Sequence, residues 1–291
     1  MSLGQPNAHA ASRSGGPISL PVPLRHGVGW LAWSTVLRVS VQQFVRGRRL
    51  LALAALFTLP ILVAIATRYD RTDYGSHRAE VEEAIVFYMI PQTLIPLTAL
   101  ILASGMIRDE VEGQTLTYLL IRPIPRPLIY LAKLLAAWLV SAGLAAVFSG
   151  LVLVVINWGF PNATATELGS KVAKVAAIGA TSMWCYVVLF GAMSLIVRWV
   201  LPLGVAYIAL IEGVFANIDF VFRRVTVLWY VRLLAERWLG IHVESWSIDL
   251  AEAPSGLEAF TTLMVASAVL AGASAWWFGS REIRMKTPEG S

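Results

Sequence analysis

AIVFYMIPQTLIPLTALILASGMI, residues 84–107, runs without a single charge into RDEVEGQTLTYLLIRPIPRPLIYLAK, residues 108–133. An uncharged run of about 20 residues is what a helix needs to cross the hydrocarbon core of a bilayer. No water is available there for backbone N–H and C=O groups, so a helix, which satisfies them internally, is the spanning form. The second stretch breaks that pattern with acids, a glycine, a short leucine-rich stripe and three prolines, then returns to apolar sequence. A chain that crosses a bilayer repeatedly has little use for so dense a polar segment unless something docks on it.

Working outward, the 291 residues are 57% hydrophobic and 14% charged. A soluble domain carries about 25% charged residues, so this chain lacks the charge to cover a water-facing surface. The remaining charges are confined to short stretches with bilayer-sized gaps between them. The expectation is an all-α, polytopic membrane protein with six transmembrane helices at 50–67, 84–107, 134–157, 175–197, 199–218 and 259–280. Residues 1–29 read as a disordered tail without the apolar core of a signal peptide, 30–49 as an amphipathic connecting helix, and 281–291 as a second tail.

Six crossings place both termini on one side, and the Lys/Arg bias of the loops says which side is inside. With the N-terminus inside, fourteen Lys and Arg fall on inner segments and nine on outer ones. The hinge at 108–133 is then cytoplasmic, in a multi-pass protein of the cell's inner (cytoplasmic) membrane. The net charge of +5 flanks membrane spans, where it meets anionic headgroups, and does not point to nucleic acid.

Within the hinge, Glu110 and Glu112 follow the end of the second span. Gly113 permits a break in the helix. Thr115 can cap a new short helix, Leu116 to Ile121, striped by Leu116, Leu119 and Leu120. Pro123, Pro125 and Pro127 stop it and stiffen the return, with Arg122 and Arg126 near the membrane surface. The result is a short helix held parallel to the membrane, able to pass force to the spans on either side. The competing reading is an ordinary interfacial loop with solvated carboxylates.

Trp30, Trp33, Leu37, Val41, Phe44 and Val45 recur at helical spacing, while Arg38, Gln42, Arg46 and Arg49 occupy other faces. Such a helix lies along the headgroup layer, as a simple anchor or as a surface that also touches a cytoplasmic partner. The segment after the fifth span, 220–257, alternates aromatic and aliphatic residues with Arg223, Arg224, Arg232, Glu236 and Arg237. It predicts one or two short helices at or in the outer leaflet, serving as a lid or as an anchor.

Glu212 is the one ionisable side chain well inside an expected span. Such residues are costly and face a protein or water-lined interior, here as a transport-path contact or as a structural hydrogen-bond partner. Small-residue stripes at Ala142, Ala146 and Gly150, and at Ser267, Ala271 and Ala275, mark helix packing. Pro60, Pro91, Pro96 and Pro202 can kink their spans.

Several chemistries find no motif. There is no G-x-x-x-x-G-K-[ST] phosphate loop, no H-E-x-x-H pair and no G-x-S-x-G elbow. The four histidines are scattered, and Cys185, the sole cysteine, cannot form an intrachain disulfide.

Glu110-x-Glu112-Gly113-x-Thr115-Leu116, then Leu119-Leu120, Pro123, Arg126 and Lys133, resembles the signature of type-2 (ABC-2) exporter permeases. Gln114 and Ala132 depart from it, each standing where a glycine is common. The resemblance implies a membrane-spanning subunit without catalytic residues, bound cofactor or metal of its own. Its partners would be a separate ABC ATPase carrying ATP and Mg, a second permease copy as a homodimer or heterodimer, and membrane lipid. Glu110, Glu112, Gly113, Thr115, Arg122 and Arg126 would form the coupling contact with the ATPase. A secondary transporter driven by an ion gradient, or a membrane scaffold recruiting a cytoplasmic partner, are the alternatives. The former expects membrane-embedded charge, of which Glu212 is the example here.

Overall fold

The computed structural model describes residues 28–70, 74–112, 125–160, 164–217, 224–246 and 248–280, and every regular element among them is helical. In chain order these are α1 (Val28–Arg46), α2 (Arg48–Asp70), α3 (Tyr74–Glu82), a π-helical segment (Glu83–Leu94), α4 (Ile95–Glu112), α5 (Arg126–Asn157) and α6 (Ala165–Ile196). Then follow α7 (Val200–Tyr207), a π turn (Ile208–Glu212), a 3-10 turn (Phe215–Asn217), α8 (Val227–Leu239), a second 3-10 turn (Glu244–Trp246) and α9 (Gly256–Ser280). The tails and the expected hinge helix at 116–121 lie outside the described residues.

Among the described residues, five stretches are long and apolar enough to cross a membrane: Arg48–Tyr69, His77–Met106, Arg126–Asn157, Ala165–Ile196 and Gly256–Ser280. Most extend past the apolar runs that predict them. An apolar run measures immersion in lipid, whereas a helix continues into water wherever its backbone bonds can still form. The third span starts at Arg126 and not at 134, because Pro125 serves as its N-cap and Pro127 falls in its first turn, where a missing N–H costs nothing. The N–H groups of Leu128 and Ile129 both donate to the Pro125 carbonyl, at 2.9 and 3.3 Å. Lys133 is thereby carried inside the bundle, 3% exposed.

The expected fifth span, 199–218, differs most. Val200–Glu212 is apolar but short. At 1.5 Å per residue it reaches about 20 Å, less than the roughly 30 Å of a hydrocarbon core. Its last turn widens to π geometry, the Gly213 N–H donating to the Ile208 carbonyl at 2.8 Å.

Contacts sort the helix ends into two groups. At one end Tyr130 of α5 stacks on Phe278 of α9, with ring centroids 5.7 Å apart. Gly191 of α6 sits there against Met106 of α4 and the Tyr130 hydroxyl. α1 joins this end, because Val36 packs with Ile129 and Ala132 on the first turns of α5. At the opposite end Arg68 donates to the carbonyls of Val155 and Trp158 at 3.0 and 2.6 Å, and Trp238 of α8 meets Phe260 of α9. α6 therefore finishes at the hinge end and α9 starts at the far end. The chain between them has to make the passage without a full-length helix.

α5 and α6 form the central pair, with α4, α7 and α8 also along α6, α1 and α2 along α5, and α9 in contact with both. Trp138 of α5 donates to the Ala180 carbonyl of α6, and Trp184 of α6 donates to Ser267 of α9, both at 2.9 Å. Ser267, Ala271 and Ala275 are buried, as their spacing predicts. On α5 the closed stripe is Ser141, Ala145 and Ser149, one residue before the expected Ala142, Ala146 and Gly150, which are half-buried. α5 has small residues on adjacent faces, and Gly150 of the expected stripe lies against Val172 of α6. On α1 the same kind of shift appears. Val36 and Ser40 are buried while Val45 is exposed.

Gly204 brings α7 against α4, since a Cβ there would fall 2.2 Å from Leu100 Cδ1. Leu100 is fully buried and has nowhere to retreat. Gly204→Ala is expected to destabilise the protein by about 1–3 kcal/mol, the usual cost of overpacking. Thermal unfolding in detergent reads this. Combined with Leu100→Ala, it should cost less than the sum of the two single changes, and strict additivity would show that α7 does not press on α4 in this way.

Candidate functional site

Two charged regions stand out, the hinge between α4 and α5 and the interior around Glu212. The first is the hinge. α4 ends at Glu112, so Glu110 and Glu112 occupy its last turn. Acidic residues are unfavourable at a helix C-terminus, by about 0.3–1 kcal/mol each, because the carbonyl end carries negative partial charge. Local stability therefore does not explain them. Arg126 opens α5 directly after Pro125 and is half-buried. Gly113, Thr115 and Arg122 lie outside the described residues, while Glu110 and Glu112 end α4 and Arg126 opens α5.

The second region is built around Glu212. It is fully buried at the end of the π turn. Phe190 of α6 lies six residues from the Ile196 end, or about 9 Å at the α-helical rise. Tyr207 packs edge-on against it, with centroids 5.9 Å apart. Glu212 lies five residues beyond Tyr207, at the end of the Val200–Glu212 arm and about 20 Å along it. Its carboxyl oxygens accept from the Tyr207 hydroxyl and from the Leu228 backbone N–H, each at 3.1 Å.

Leu228 is in the first turn of α8. Thr226 caps the same turn, its hydroxyl accepting from the Trp229 N–H at 3.3 Å. Glu212 and Thr226 thus satisfy two of the amide donors that every helix N-terminus leaves open. Leu228 and Trp229 are both buried, so an amide left open there would be costly. α8 then runs back toward the far end and closes at Gly240, whose φ of +66° suits a residue without a Cβ. α7 and α8, with the residues that join them, make up the α7–α8 hairpin, in which Glu212 meets Leu228 and Ala216 meets Arg232.

Arg232 closes the hairpin from the other side and is 3% exposed. Its guanidinium donates to the Ala216 carbonyl and to Gln92 Oε1 of the π segment, both at 3.3 Å. It also lies over the rings of Tyr88 and Trp246, at 5.5 and 5.7 Å. Nearby, the Tyr88 and Ser245 hydroxyls are hydrogen-bonded. Sequence reasoning names Arg232 only as one of several interspersed charges. The available signal was its spacing, four residues after Leu228 and three before Ala235, which places it on the apolar face of α8. Gln92 carried no such signal, because one amide in a span is unremarkable until its partner is known.

Two further features border this region. Lys171 of α6 pairs with Glu82 at the end of α3. A cavity of about 30 Å³ lies between the π segment, α6 and α8, lined by Phe87, Pro91, Ile178, Val231, Arg232 and Trp246. It has the volume of about one water and is not a cargo pocket. Among the described residues no cluster of three or more His, Cys, Asp or Glu could hold a metal ion.

Comparison with curated proteins returns no match. Residues 46–213 match the family described as ABC-2 family transporter protein. The matched stretch starts at the last residue of α1, takes in the hinge, and ends one residue after Glu212. With more than half its length inside that match, a helical bundle with five membrane-length spans and a polar hinge between the second and third, the chain belongs to the ABC-2 family of transporter proteins.

Proposed function

We propose that this chain is the permease subunit of an ATP-driven exporter and that its hinge receives work from a separate ABC ATPase. The observation that carries the reading is the placement of Glu110 and Glu112 in the last turn of α4. Two carboxylates sit there against the helix dipole and directly in line with a membrane span. A cationic cleft on a partner would offset that local cost and gain a rigid lever. Glu110, Glu112, Gly113, Thr115, Arg122 and Arg126 form the docking elbow, and the short helix at 116–121 is its contact element.

In this account the chain crosses six times, the fifth passage being completed by the short Val200–Glu212 helix and the segment after it. Both termini and the elbow are cytoplasmic, and α1 lies in the headgroup layer of the cell membrane beside the first turns of α5. Two permease copies pair around the path, ATP and Mg are held by the ATPase, and this chain itself performs no hydrolysis. Glu212 takes part in the path through the hairpin that it caps.

Side-specific labelling tests the reading at its base. Cys185 is buried and gives little background. A cysteine replacing Gly113 should react with a membrane-impermeant maleimide in inverted vesicles and stay unreacted in intact cells. Labelling from the exterior would end the proposal. Co-purification should recover a phosphate-loop ATPase, and its hydrolysis should rise when the permease is reconstituted with it.

A further inference from the structure

Arg232 joins three parts of the molecule that are distant in sequence: α8, the end of the α7 hairpin arm at Ala216, and Gln92 in the π segment of span two. A guanidinium held in the membrane is expensive, and its retention calls for more than filling space. A hydrophobic side chain could fill this site at lower cost. A fork of fixed N–H donors also transmits position, because moving any acceptor moves the helix that carries the fork.

The partner segment is suited to movement. Glu83–Leu94 is π-helical, with Pro91 inside it and Pro96 just after it. π segments of this kind sit at functional sites, and the prolines remove the N–H bonds that would hold the α register. The small cavity beside Pro91, Val231 and Arg232 leaves room on one side. Span two continues without interruption from this segment through α4 to the hinge carboxylates. On the other side of Arg232, Arg237 donates to the carbonyls of Leu250 and Ala253 at 2.7 and 3.1 Å, so α8 holds the outer loop as well.

We propose that Arg232 is the positioning residue through which span two moves the outer hairpin, its link to Gln92 carrying displacement of the π segment to α8. This rests on the reading that the hinge is driven by an ATPase. When span two shifts, Gln92 and the Tyr88 ring shift with it, and Arg232 carries α8 along while Glu212 keeps its first turn attached to α7. The hairpin responds as one body.

The test uses the full permease with its ATPase in liposomes, in a Cys185→Ser background. A cysteine at Ala251, an exposed position in the loop held by Arg237, reports the state of the hairpin. Its labelling rate by an impermeant maleimide is compared with and without Mg-ATP and vanadate. In the otherwise unchanged protein the rate should change by at least about 5-fold, the low end of ordinary coupling between sites. Gln92→Leu, which keeps the span apolar and removes the acceptor, should abolish that change while hydrolysis continues. Gln92→Glu, which offers Arg232 a carboxylate, should retain it. A merely structural role for Gln92 predicts loss of folded protein without selective loss of the ATP response. An ATP response surviving in Gln92→Leu overturns the proposal, as does a reference protein that hydrolyses ATP without any change at position 251. Absence of an associated ATPase overturns the coupling reading and this proposal together.

Discussion

Glu212→Ala is expected to be the most damaging single change in the outer half of the molecule, lowering stability by about 3–5 kcal/mol. The substitution leaves the Leu228 N–H and the Tyr207 hydroxyl without their shared acceptor. Each stranded polar group costs about 1–3 kcal/mol, and a small cavity adds to that. The α8 N-terminus suffers most, because it would keep only the Thr226 cap while Leu228 and Trp229 are buried. Glu212→Gln keeps one acceptor oxygen and should lose roughly half as much. Thermal unfolding in detergent, followed by tryptophan fluorescence, separates the three proteins. If Glu212→Ala melts with the unaltered chain, the carboxyl does not hold the hairpin. A cargo-contact role alone would then predict normal stability with altered transport.

The second large effect belongs to the hinge. Under the proposed docking of the elbow on an ABC ATPase, the double reversal Glu110→Lys and Glu112→Lys should weaken docking by about 100-fold, because two charge-assisted contacts at about 1.5 kcal/mol each would be lost. Transport per ATP hydrolysed should fall with it. Stability should stay the same or rise by a few tenths of a kcal/mol, since lysine suits a helix C-terminus better than glutamate does. This sign separates the functional account from a structural one, in which the same change would lower the melting temperature. Undiminished coupling in the double variant would count decisively against the elbow as the ATPase contact.

Much of the architecture was legible before any coordinates. Long uncharged runs name their own environment, so the all-α membrane class and the approximate places of the five full-length spans follow from hydropathy alone. The Ser267, Ala271 and Ala275 stripe was also readable, and all three residues are buried. α5 has small residues on neighbouring faces, so spacing alone did not say that Ser141, Ala145 and Ser149 are the most deeply buried of them. Helix starts were less legible, since Pro125 and Pro127 mark the beginning of α5 as readily as the end of a preceding element. The hinge was recognisable as a pattern of residue types, and the fold adds that its two acids end α4 while Arg126 begins α5.

The interior polar contacts stand at the other extreme. Glu212 meets the start of α8, and Arg232 meets Gln92, 140 residues away in sequence. Sequence by itself determined that Glu212 must find a partner inside the membrane, because an isolated carboxyl in hydrocarbon is prohibitively costly. It also determined that the outer segment is amphipathic enough to enter the leaflet. Only the tertiary structure decided that the partner is the amide end of α8, that the Val200–Glu212 arm ends where it meets it, and that Arg232 faces Gln92. The physical reason is the range of the forces involved. Burial of apolar surface is set residue by residue and is written along the chain. A hydrogen bond works within about 3 Å and along a fixed direction, so its partners exist only once distant segments have been brought side by side.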